Sequence, residues 1–136
     1  MTARLEEIYE HQHQEQKVAP SGAAPVTVTS HGDAWTLGNF SNDILAAGFV
    51  TYYFDLHWVV LNDPNANAHY EIVFYYGPTD IECGRIAFTR TNIFLASLTM
   101  PIMTPILPPG SRIRAKGMDS VGGNGVGARI FYHVYD

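Results

Sequence analysis

From Val26 onward, apolar and polar side chains alternate with a period of two, the pattern of strands that bury one face and wet the other. Val26-Thr-Val-Thr-Ser30 opens the series as a short β-branched strand. The alternation runs longest through Phe49–Leu61. There Val50, Tyr52, Phe54, Leu56, Trp58 and Val60 are expected on the buried face, with Thr51, Tyr53, Asp55 and His57 on the other. Asp63-Pro-Asn-Ala-Asn67 is turn chemistry. Tyr70, Ile72, Phe74 and Tyr76 resume the pattern until Gly77-Pro-Thr-Asp80 breaks it, and Ile86 and Phe88 then oppose Arg85, Ala87 and Thr89. Phe94, Ala96, Leu98 and Met100 form the next run. Pro101, Pro105, Pro108 and Pro109 follow, so this stretch is expected as an edge or a sheet-to-sheet crossing rather than a central strand. Ile113, Ala115 and Gly117 oppose Arg112, Arg114 and Lys116, and Ile130, Tyr132 and Val134 alternate with Arg129, Phe131 and His133. About seven or eight short strands with turns between them, and no βα alternation, predict an all-β fold: an antiparallel β-sandwich or jelly roll.

The first 25 residues read differently and divide the chain into an arm with linker (1–25) and a β-sandwich domain (26–136). Met1–Lys17 is the one helical candidate: Leu5, Ile8 and Tyr9 make a thin apolar stripe, Thr2 suits an N-cap, and Glu6 and Glu7 suit the first turns. The stripe ends after Tyr9, so such a helix cannot sustain itself in water and an extended or short-helical arm held by something else is expected. Val18–Pro25, VAPSGAAP, is a linker by composition.

The 136 residues are 46% hydrophobic and only 15% charged, which describes one domain with a substantial core and neither a disordered chain nor a coiled coil. No apolar run approaches the roughly 20 residues of a membrane helix, and Met1–Lys17, with four Glu, has no h-region of a secretory signal. The single Cys83 excludes an intramolecular disulfide framework and fits synthesis in a reducing cytoplasm. Net charge is −5, and residues 1–100 hold 4 basic against 11 acidic residues. No nucleic-acid footprint is expected, and the alternating Arg112, Arg114 and Lys116 read as the wet face of a strand.

Catalytic and metal signatures are sparse. His11 and His13 fall on different sides of a helix. His57 and His69 flank a turn and could meet across a hairpin, but no Cys or third His shares a ligand spacing with them, so no metal and no cofactor is expected. Gly122-Gly-Asn-Gly-Val-Gly127 lacks the Lys-Ser/Thr and the helix of a phosphate loop and reads as a β-hairpin turn. No Gly-x-Ser-x-Gly elbow occurs, Cys83 has no evident histidine partner, and Asn39-Phe40-Ser41 gains no meaning as a glycosylation acceptor without a signal peptide. What does stand out is aromatic character on the faces assigned to solvent. Tyr53, Tyr75, Phe131 and Tyr135 are therefore candidate subunit-interface residues, with a sugar-binding platform as the competing reading.

The phrases Tyr70-Glu-Ile-Val-Phe-Tyr-Tyr76, Cys83-Gly-Arg-Ile86, Met100-Pro-Ile-Met-Thr-Pro-Ile106, Pro109-Gly-Ser-Arg-Ile-Arg-Ala-Lys116 and Phe131-Tyr-His-Val-Tyr135 come in an order that resembles small structural proteins of tailed bacteriophages. The resemblance covers residues 55–135 and carries no catalytic signature. It implies a virion protein, and within that class a head decoration (cement) protein. Such a protein would be made in the bacterial host cytoplasm and sit on the capsid exterior as a trimer at local threefold axes. Its partners would be the major capsid protein and itself, with neither nucleic acid nor membrane involved. Leu5, Ile8 and Tyr9 would be the capsid-binding contacts of the arm. Two other classes stay open: a phage tail, baseplate or receptor-binding domain that holds a glycan, and a small β-sandwich enzyme, against which the apolar inward faces count.

Overall fold

The computed structural model describes residues 16–22, 24–92 and 97–136. Among these residues the chain is all-β, with eight strands: β1 (Lys17–Ala19), β2 (Val26–Thr29), β3 (Tyr53–Asn62), β4 (Ala68–Tyr76), β5 (Ile81–Arg90), β6 (Ser97–Pro101), β7 (Ile113–Asp119) and β8 (Gly125–Tyr135). All pair antiparallel in two sheets, β1-β8-β3-β6 with β2 also on β8, and β5-β4-β7. The inward faces of the two sheets share one core that includes Phe54, Leu56, Val59 and Leu61 of β3, Ile72 and Phe74 of β4, Ile113 and Ala115 of β7, and Ile130 of β8. This is the β-sandwich expected from the period-two pattern. The helical expectation for Met1–Lys17, including Leu5, Ile8 and Tyr9, falls almost entirely outside the described residues.

One face assignment is corrected. The register of β3 on β8 slips between Leu56, opposite Tyr132, and Trp58, opposite Phe131, so His57 is an extra residue in a β-bulge. Beyond it the phase inverts. Val59 and Leu61 are fully buried, while Trp58 is 39% exposed and Val60 only half-buried on the outside. Strict alternation had put Trp58 and Val60 in the core. Tyr52, also expected inside, precedes the strand and is 52% exposed.

The sheet also takes in a short segment ahead of Val26. Lys17, Val18 and Ala19 pair with Tyr132, Phe131 and Ile130, so the sheet begins inside the stretch whose composition reads as arm and linker. Backbone pairing needs amides and carbonyls rather than a side-chain pattern, and Ala19 is nevertheless buried. Residues 35–45 run along the outer edge of β7, where Trp35, Gly38, Ser41 and Ile44 donate backbone N–H bonds to Asp119, Gly117, Ala115 and Ile113. Pro101 closes the edge strand β6, and the proline-bearing crossing after it is pinned by mutual backbone bonds between Phe54 and Leu107. The glycine-rich turn is no hairpin, because it carries the chain from β7 in one sheet to β8 in the other. Its Gly122 and Gly123 take φ of +100° and +75°, and a Cβ on Gly122 would lie 2.3 Å from the Gly32 carbonyl oxygen.

Candidate functional site

The outer face of the five-stranded sheet collects the features that exceed the needs of folding. Across the β3–β8 ladder, Tyr53 stands opposite Tyr135, Asp55 opposite His133 and Trp58 opposite Phe131. Val18 of β1 pairs with the far side of Phe131, and Pro101 of β6 with the far side of Trp58. The bulge allows both His57 and Trp58 to face outward. Gln16, Trp58, Val60, Thr99 and Phe131 line a shallow groove that is almost entirely apolar. Tyr53 is 56% exposed at one end of this face. A face of this composition on a half-solvated sheet is the usual mark of an interaction surface.

Within the face lies a polar cluster. Tyr135 donates its hydroxyl to Asp55 Oδ2 at 2.7 Å, and His57 Nε2 is 2.9 Å from Asp55 Oδ1. The Gln16 side-chain amide is 3.3 Å from His57 Nδ1. The His57 and His133 rings stack at 5.3 Å and 22°, and Tyr135 meets the His133 ring edge-on at 4.9 Å. Although it points away from the sandwich core, His133 is 1% exposed. Burial first, and then the bond to Asp55, push the Tyr135 phenol well above its ordinary value, so it remains a donor. One carboxylate and two imidazoles thus bring ligand atoms within 4.8 Å of one another. These are donor types that hold transition-metal ions.

No protein-family model and no curated protein matches this chain.

Of the four aromatics singled out in the sequence, three meet here: Tyr53, Phe131 and Tyr135. Tyr75 does not. It lies on the outer face of the other sheet, where the Phe40 ring packs edge-on against it at 5.1 Å. Arg112, Arg114 and Lys116 share that second face and are occupied within the chain. Arg114 Nε bonds Asp80 Oδ1 at 2.7 Å and Arg112 reaches Asp80 Oδ2 at 3.2 Å. The Arg114 guanidinium and the Lys116 ammonium lie 3.8 and 4.2 Å from the Phe40 ring centre. The Arg114 bond above all holds the Asp80 carboxyl below its ordinary range. The residues 5, 8 and 9 assigned to capsid binding lie outside the described part.

His69, considered as a partner of His57, is on β4 in the opposite sheet and its Nδ1 contacts the Thr89 hydroxyl at 2.8 Å. The true neighbour of His57 is His133. Sequence reasoning missed it because periodicity gives faces and not strand partners. The available signal was that His133 occupies an outward position on the last strand, as Asp55 and His57 do on theirs.

Proposed function

We propose that this chain is a phage capsid decoration protein: a homotrimer of β-sandwiches at local threefold axes of the head, whose arm grips the major capsid protein. The carrying observation is the apolar outer face built around Trp58 and Phe131, onto which the start of the chain is stitched through β1. That arrangement supports a division of labour. The sheet face buries against neighbouring copies, and the arm that precedes Gln16, itself a residue of this groove, is left to contact another protein. Several modest contacts per trimer then add through multivalency rather than through one strong site. Leu5, Ile8 and Tyr9 would order on the shell as it is bound.

The test is the native mass of the full chain and of a form lacking Met1–Glu15, which keeps β1, followed by co-sedimentation with capsids free of decoration protein. Trimers in both forms, with capsid binding only when the arm is present, are the expected result. Monomers that bind no capsid overturn the reading. The exposed Trp58 and Tyr53 favour one alternative, a receptor-binding tail domain. Oligosaccharide binding lost in Trp58→Ala, without capsid binding, would put it in place of the decoration role.

A further inference from the structure

We infer that Asp55, His57 and His133 form a binding site for a divalent transition-metal ion of the zinc type. This inference is independent of the capsid reading and holds or fails by itself. Two imidazole nitrogens and one carboxylate oxygen make a three-ligand set that leaves a further position open. The mixture of nitrogen and oxygen donors selects zinc-like ions over calcium or magnesium, which take oxygen ligands.

The geometry places these donors on a stiff platform. Asp55 and His133 sit directly opposite one another in the β3–β8 ladder, and His57 is the bulged residue beside them. Bulges re-aim side chains at functional sites, and this one turns a histidine toward a carboxylate two positions before it. Ligands about 2.1 Å from an ion lie about 3.4 Å apart around a tetrahedral centre. Asp55 Oδ1 and His57 Nε2, 2.9 Å apart, already stand close to that separation. The whole set lies within 4.8 Å, so no pair of ligand atoms has to draw together by more than about 1.4 Å to reach it.

The surroundings supply the outer support such sites use. The Tyr135 hydroxyl holds Asp55 Oδ2, the oxygen turned away from His57, and leaves Oδ1 for the ion. Gln16 stands at His57 Nδ1. When Nε2 binds the ion, the ring carries its proton on Nδ1, and the Gln16 amide turns its oxygen to accept it. His133 is buried and the Asp55 side chain only 14% exposed, so an ion here is largely shielded from water.

The experiment strips the full-length protein with a chelator and titrates it with zinc chloride in a calorimeter, with cobalt(II) as a spectroscopic stand-in. Expected are one ion per chain, visible cobalt bands of a site with fewer than six ligands, and a zinc-dependent rise in Tm. His57→Gln, at a side chain 28% exposed, should stay folded and lose at least tenfold in affinity together with the cobalt bands. His133→Asn should behave alike; if it fails to fold, the His57 variant decides. His69→Gln and the double variant His11→Gln, His13→Gln should bind as the parent does. Parent-like binding by His57→Gln, binding that follows the arm histidines instead, or no uptake at micromolar zinc each overturn the site.

Discussion

The Asp119 carboxylate, fully buried, shapes the turn that carries the chain between the sheets. It accepts backbone N–H bonds from Val121 at 2.8 Å, from Gly122 and from Asn124 at 3.3 Å, and the Asn124 side-chain amide at 3.1 Å. Burial pulls its pKa upward, but the bonds from Gly122, Ser30, Val121 and Asn124 outweigh that and hold it below 3.8. A carboxyl lowered in the folded state contributes stability that is present above its unfolded pKa and is lost as pH falls through the folded value. Asp119→Ala should therefore cost at least about 3 kcal/mol at pH 7 in urea unfolding, because it strands several donors and each one that is buried and left unsatisfied costs about 1–3. The gap between parent and variant should shrink as pH drops below 3.8. Cys83 offers a second check. Burial raises its thiol to about 12, and it sits in a bulge of β5 opposite the Phe74–Tyr75 step. A thiol reagent at pH 8 should label it at least a hundredfold faster in urea than in buffer, since the thiolate is the reactive form; equal rates would mean that the thiol is accessible. A lone cysteine with no evident histidine partner was legible in the sequence. Asp119 was not, because the glycines advertise a turn without naming the residue that holds it.

Strands were legible wherever one face is apolar and the other polar. Tyr70–Phe74 and Ile113–Gly117 follow their expected phase throughout. The bulge in β3 was not legible, for a physical reason. Trp58, Val59, Val60 and Leu61 are all apolar, so both phases satisfy the pattern equally and only the register on β8 decides. A pair of substitutions separates the phases. Val59→Ala should cost about 2 kcal/mol as a cavity in the core, whereas Val60→Ala, a trimming of the outer face, should cost less than half of that. The reverse order in thermal unfolding would restore simple alternation and remove the bulge. β1 escaped sequence reading because a three-residue strand is too short to show a period. Candidate residues Tyr53, Phe131 and Tyr135 were found by their outward phase alone. Tyr75 shares that phase in the other sheet, and a face label carries no sheet label.

At the scale of the molecule, the Asp55–His57–His133 cluster exists because the last strand lies beside the third, a pairing set by global topology and invisible to local pattern. The proposed assembly is tested at the same scale. Trp58→Glu should break the oligomer into monomers with little loss of stability, since this side chain already contacts solvent. Replacing Leu5, Ile8 and Tyr9 together with Ser should abolish capsid co-sedimentation while sparing the sandwich; unchanged binding would remove the arm from the account. Topology also gives the domain a top and a bottom. The chain approaches β1 and leaves β8 at one end, because Lys17 runs antiparallel to Tyr132. The turns at 63–67 and 120–124 meet at the other end, where Asn65 bonds Gly125. The 11 residues of β8 separate these ends by about 34 Å. In the proposed assembly, a domain held by its arm would turn those two turns outward, as the tip that anything approaching the particle touches first. A fluorophore at Asn65 should stay open to a soluble quencher on loaded particles, while one at Asp136 becomes shielded; the opposite result would mean that the domain stands the other way up.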